Sequence, residues 1–168
     1  LRRQRQMCIR DSGGSGKDWQ QEGCAAYQQM VSRLRTAGEM AKQEGITIGI
    51  RTGMDAKFDK KLLKKVGSSQ IKVYYNFQDA ADHHRDICKE LRKLGAQRIV
   101  QIHVSNTDSV NLQEDPEINL PKIRKTLDKM KWSGWLVVER SRDVKRVRDV
   151  KYNFGRNIAY LKQVFQER

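Results

Sequence analysis

The sequence has no long apolar run. Its uninterrupted hydrophobic stretches, such as Trp135 to Val138, are a few residues long, against the roughly 20 that a helix needs to cross a bilayer. A membrane-spanning helix is excluded, and a soluble chain is expected. Cysteine is scarce: the 3 cysteines, Cys8, Cys24 and Cys88, form no C-x-x-C pair, which argues against a disulfide framework and a zinc knuckle. A dinucleotide fingerprint is also missing, since ITIGIRTGMD offers only Gly49 and Gly53 where a G-x-G-x-x-G turn would stand. Acidic residues are outnumbered, 20 against 34 Lys and Arg, for a net charge of +14.

Such a balance draws a protein toward phosphate and anionic membranes. Here the cations are scattered: Arg2, Arg3, Arg5 and Arg10 near the start, Lys57 to Lys65 in one segment, and Arg140 to Arg148 late in the chain. Asp82, Asp86, Glu90 and Asp143 interleave with them, as on solvated helix faces. No aromatic ladder accompanies the charge, so nucleic acid is not the expected partner.

With 168 residues and 38% hydrophobic content, the chain can bury one core and is expected to form one domain, residues 19–168. Residues 1–18, LRRQRQMCIRDSGGSGKD, have no initiator Met and no apolar signal segment, and end in a Gly/Ser stretch. They are set apart as a non-native or disordered tail. Gly16 and Lys17 do not make a P-loop, because Asp11 and Asp18 occupy the positions that need Gly and Ser or Thr. The true N-terminus is expected to lie upstream, which leaves localisation at a cytoplasmic default.

Beyond the tail a rhythm emerges. Tyr27, Met30, Val31, Leu34, Ala37 and Ala41 recur at helical spacing and Gly45 stops them. ITIGI (46–50) reads as a buried strand, 57–66 as a helix, and IKVYY (71–75) as the next strand. Asp79 is read as the cap of one helix running through Ala80, His84, Ile87, Cys88, Leu91 and Leu94. RIVQIH (98–103) follows. Asn119 and Pro121 then open a helix carrying Ile123, Leu127 and Met130 inward, and GWLVVE (134–139) is the fourth strand. Phe154, Ile158, Leu161 and Phe165 mark the closing helix, while Trp132 and Trp135 are read as core filling.

Strands alternating with helices specify βα units and a parallel sheet. Four units without a glycine fingerprint fit a partial (β/α)8 TIM barrel, its C-terminal half, better than a doubly wound sheet. The open edge at ITIGI would then invite pairing with a second copy, a homo-oligomer. Each strand ends in a polar group: Arg51, Asn76, His103 and Glu139. In a βα barrel those ends gather on the catalytic face. The polar loop 104–119 is longer than an ordinary βα loop, which suits substrate contact.

The runs QRIVQIHVSNTD, INLPKIRKTLDKMKWSGWLVVERSRD, EGITIGIRT and GSSQIKVYYNFQDA resemble the C-terminal half of the sugar phosphate isomerase/epimerase family, the xylose isomerase-like TIM barrels, over approximately residues 24–168. The resemblance implies a sugar or sugar phosphate as partner and proton transfer beside a carbonyl. It also implies a divalent metal (Mn, Mg, Zn or Co) held by Glu, Asp, His and Glu at four strand ends. Carried over by position, His103 and Glu139 match two of these metal ligands. Asn76 stands in place of the Asp, Arg51 in place of the first Glu, and Thr52 in place of the usual Asn. A guanidinium cannot coordinate a cation. It also repels one, by about 4 kcal/mol per charge product at roughly 4 Å and an effective dielectric near 20.

The resulting expectation is a sugar isomerase/epimerase fragment with an atypical metal site. Glu139 would be the base, His103 the proton donor, and Arg51, Asn76 and Asn106 the substrate contacts. Two alternatives stand beside it. One is a non-catalytic sugar-binding barrel; the other is an endonuclease IV-like DNA repair protein, which calls for more metal ligands than this chain supplies.

Overall fold

The computed structural model describes the backbone of residues 6–10 and, in full, residues 21–106, 108–139 and 141–167. Residues 1–5 and 11–20, most of the segment set apart as a tail, lie outside the described residues, as do the rejected P-loop positions. The chain divides into two compact units, Leu1–Tyr74 and Tyr75–Arg168.

The first unit holds β1 (Gln6–Arg10), α1 (Ala25–Gln43), β2 (Thr47–Arg51), α2 (Ala56–Val66) and most of β3 (Ile71–Asn76). Its three strands are parallel, with Gln6 opposite Thr47 and Ile48 opposite Ile71. Two expectations are corrected here. Residues 6–10, assigned to the tail, form a strand, and that strand covers the β2 edge that was expected to lie open. The apolar strand ITIGI accepts a neighbour on both sides because its central residues are buried. Tyr27, Val31, Gly38 and Ala41 are the buried stripe of α1. Asp55 caps α2 by accepting from Phe58 N (2.7 Å), and Gly67, at φ 74°, ends it.

The second unit contains α3 (Phe77–Ala81), α4 (Ile87–Leu94), β4 (Ile99–Val104), α5 (Leu120–Lys129), β5 (Trp135–Val138) and α6 (Val150–Phe165). β4 and β5 are parallel, with His103 opposite Val137. The single helix expected after Asp79 is two. Asn76 rather than Asp79 caps the first and Asp86 the second, and His84 between them takes a left-handed φ of 51°. Arg85 N turns back onto Ala80 O (2.8 Å), which closes α3 early.

α6 starts four residues ahead of the expected stripe, at Val150, and turns a different face inward. Asn153, Asn157 and Leu161 are its buried residues, while Ile158 is 42% exposed. The tryptophans also part company. Trp132 donates from Nε1 to Ile99 O (3.0 Å) and lies over Gly134, where a Cβ would stand 2.5 Å from its ring. Trp135, expected in the core, is 70% exposed. Among the described residues no helix is long and apolar enough to cross a membrane.

Candidate functional site

Of the four polar strand ends, three belong to the second unit and face one another. His103 is the penultimate residue of β4 and Glu139 follows β5 directly, so the parallel register, with His103 opposite Val137, brings both to the same end of the strand pair, Glu139 two residues further along. His103 Nδ1 lies 3.4 Å from Glu139 Oε2, with the imidazole 14% and the carboxylate 32% exposed. The pair is thus reachable by a ligand yet partly shielded from water. Arg51 closes β2 in the first unit and is half-buried there.

Asn76 is the third member. Its Oδ1 accepts from Gln78 N (2.8 Å), from Asp79 N (3.4 Å) and from Ser105 Oγ (3.0 Å). The first two are backbone donors at the start of α3, so the amide oxygen must point to them. The amide nitrogen therefore faces His103, with Nδ2 3.5 Å from Nδ1. At that distance the contact is weak, and the same ring nitrogen also faces Glu139.

Asn106 was expected to contact substrate. It is fully buried, and its amide works inside its own loop: Oδ1 accepts from Asp108 N (2.9 Å) and Nδ2 donates to Val110 O (2.9 Å). It shapes the loop after β4. That loop is in turn bound to the one after β5. Asp108, at φ 60°, accepts from Arg142 N (3.1 Å) and Arg142 Nε (2.9 Å), and pairs also with Arg142 Nη2. This side-chain hydrogen bonding raises the already high pKa of the guanidinium.

The loops after β4 and β5 also share a buried amide network that sequence reasoning missed. Asn111 Nδ2 donates to Asn153 Oδ1 (3.0 Å) and to Ser141 O (3.2 Å), Leu112 N donates to Asn157 Oδ1 (2.9 Å), and Asp143 N donates to Asn153 Oδ1 (2.9 Å). Asn157 Nδ2 also reaches Ser141 O (2.6 Å). The signal was present as two Asn residues four apart within a helix, where Asn is a poor helix former and needs a partner.

A divalent cation fits this corner poorly. Asn76 offers a donor where a ligand must offer a lone pair, which leaves His103 and Glu139 alone. Among the described residues no group of three or more His, Cys, Asp or Glu is placed to hold a metal ion.

Comparison with known proteins bears on the whole chain. The family described as xylose isomerase-like TIM barrel matches residues 6–164. Among solved structures, a D-psicose 3-epimerase studied in the presence of D-fructose superposes with a TM-score of 0.72 at 14% identity, over 83% of this chain and 56% of its own. A 3-keto-D-glucoside 4-epimerase from E. coli gives 0.70 at 11% identity, over 82% and 54%. A family 2 AP endonuclease from Brucella melitensis gives 0.62 at 16%, over 78% and 55%. The chain therefore spans about half the length of these structures, and at such identities the likeness is one of fold. No curated protein matches the sequence.

Proposed function

The chain belongs to the xylose isomerase-like TIM barrel family, and on that premise we propose that its second unit carries the proton-transfer groups of a sugar isomerase or epimerase. The fold is α/β with parallel strands, part of a (β/α)8 barrel. The observation that carries the reading is the 3.4 Å approach of His103 Nδ1 to Glu139 Oε2 at adjacent strand ends.

In this reading the Glu139 carboxylate takes the proton from a carbon next to the sugar carbonyl. The C–H electron pair moves into the carbon skeleton and onto the carbonyl oxygen, where His103 supplies a proton. Delivering the proton to the former carbonyl carbon, while the hydroxyl on the carbon that lost it gives its own proton to His103 and becomes the new carbonyl, gives an isomer; an epimer forms when a donor on the opposite face protonates the original carbon while the carbonyl oxygen gives its proton back to His103. Asn76 faces the imidazole, and the amide network holds the loop that follows Glu139. No step is routed through a metal. Ketohexoses are the first substrates to try, because the solved neighbours include an epimerase studied in the presence of D-fructose and one in complex with D-allulose.

The test is to incubate the protein with a panel of ketohexoses in deuterated buffer and follow the sugar by proton NMR. Deuterium entering the carbon beside the carbonyl, and no longer entering with Glu139→Gln, is the expected result. Absence of exchange across the panel would refute the reading.

An alternative reading, a sugar-binding barrel without catalysis, is favoured by the inward-facing amide nitrogen of Asn76; thermal stabilisation by sugar without exchange would identify it. The AP endonuclease fold neighbour keeps a DNA-repair reading in view, but that chemistry needs a clustered set of metal ligands.

A further inference from the structure

Ligand atoms that share a divalent ion at about 2.0–2.2 Å stand roughly 3 to 3.5 Å from one another. Two separations among the three polar ends in the second unit have that spacing: 3.5 Å from Asn76 Nδ2 to His103 Nδ1 and 3.4 Å from His103 Nδ1 to Glu139 Oε2. The spacing on both sides of His103 suits a shared cation; the chemistry of one corner is wrong. An amide nitrogen donates hydrogens and has no lone pair to give, whereas an amide oxygen is an acceptable ligand for a hard cation.

In most settings an Asn could turn over and offer its oxygen. This one is locked. The peptide N–H groups of Gln78 and Asp79 can only donate, and both point at Oδ1, with Ser105 Oγ as a third donor. A flipped amide would set an NH2 group against two N–H groups in a position only 2% exposed. Each buried donor left without an acceptor costs about 1–3 kcal/mol.

We propose that Asn76, held in this orientation by α3 and Ser105, is the residue that prevents this corner from binding a divalent cation, and that one substitution, Asn76→Asp, converts it into a cation site. A carboxylate has two acceptor oxygens. One would keep the α3 cap and the Ser105 bond; the other would face His103 and Glu139 and complete a set of three ligands. Because Asp caps helices as well as Asn does, the variant retains the local fold.

The experiment is a Mn2+ titration of the full chain by calorimetry, with paramagnetic broadening of the Asn76 side-chain amide and His103 ring signals as an independent readout. The wild-type protein should show neither heat nor selective broadening at millimolar Mn2+. N76D should bind one Mn2+ on the order of 100-fold more tightly than the wild type, and N76D/E139Q should lose that gain. Selective broadening of the wild-type signals at submillimolar Mn2+ would overturn the proposal. So would a folded N76D protein with wild-type affinity. Neither readout depends on turnover, so the result stands apart from the fate of the isomerase reading.

Discussion

In sequence, the end of β2 in the first unit resembles the ends of β4 and β5, a buried run followed by polar residues, but the two kinds of strand end do different work. After β2, Thr52 Oγ1 donates to the buried Asp59 (2.6 Å) and accepts from Met54 N (3.1 Å), so this polarity ties a strand to the following helix. After β4 and β5, His103 and Glu139 meet each other and remain partly exposed. A polar strand end thus says little alone. Mutual approach together with partial exposure is what separates chemistry from scaffolding.

The largest way to test that contrast is Glu139→Gln, which should lower kcat for the exchanging sugar by about 10³-fold while leaving the melting temperature near its wild-type value. Retained turnover would place Glu139 with the scaffolding. Next is Asn157→Ala. It strands the buried Leu112 N–H and removes one of the two amide donors to the Ser141 carbonyl, which keeps Asn111, and urea titration should report a loss of about 2 kcal/mol. Thr52→Ala should cost less, about 1–2 kcal/mol, because Asp59 loses its hydroxyl partner; if Thr52 is scaffolding, that cost falls on stability and spares turnover.

The smallest effect concerns pH. Asp86 accepts from Lys89 N at the start of α4, and that backbone bond, assisted by nearby lysines, holds its carboxyl below the ordinary range. A depressed folded pKa stabilises the protein above the unfolded value, about 3.9, and the contribution disappears as pH falls through the lower folded value. Asp86→Ala should therefore cost about 1 kcal/mol near neutrality. The gap from wild type in thermal melts should close at more acidic pH.

Much of this arrangement was legible in the sequence. β2 to β5 fall within a residue of their expected bounds because parallel strands announce themselves as short apolar runs between caps and glycines, even in β5, which is only partly covered. Asn76, His103 and Glu139 were legible as strand ends for the same reason. What stayed hidden depends on partners distant in sequence. β1 has an apolar run of only three residues, Met7 to Ile9, inside a segment rich in Arg, Gly and Ser, and is recognisable by its pairing with β2. The break between α3 and α4 comes from Asn76 capping ahead of the expected start and from Arg85 closing back on Ala80. The direction of the Asn76 amide cannot be read from a letter, since it is set by which donors surround it. The stripe of α6 was read correctly at Leu161 but one residue out at its start, because Phe154 and Ile158 outweigh Asn153 and Asn157 on any hydrophobicity scale, yet the buried amides take the inward face.

That inward face has a kinetic corollary. From a single helix, Asn157 holds Leu112 in one loop and Asn153 holds Asp143 in the next. Neither loop can swing out on its own without breaking bonds shared with its neighbour. In heavy water the peptide hydrogens of Leu112 and Asp143 should therefore be replaced together, at the pace of whole-helix undocking rather than at the faster pace of an ordinary surface loop.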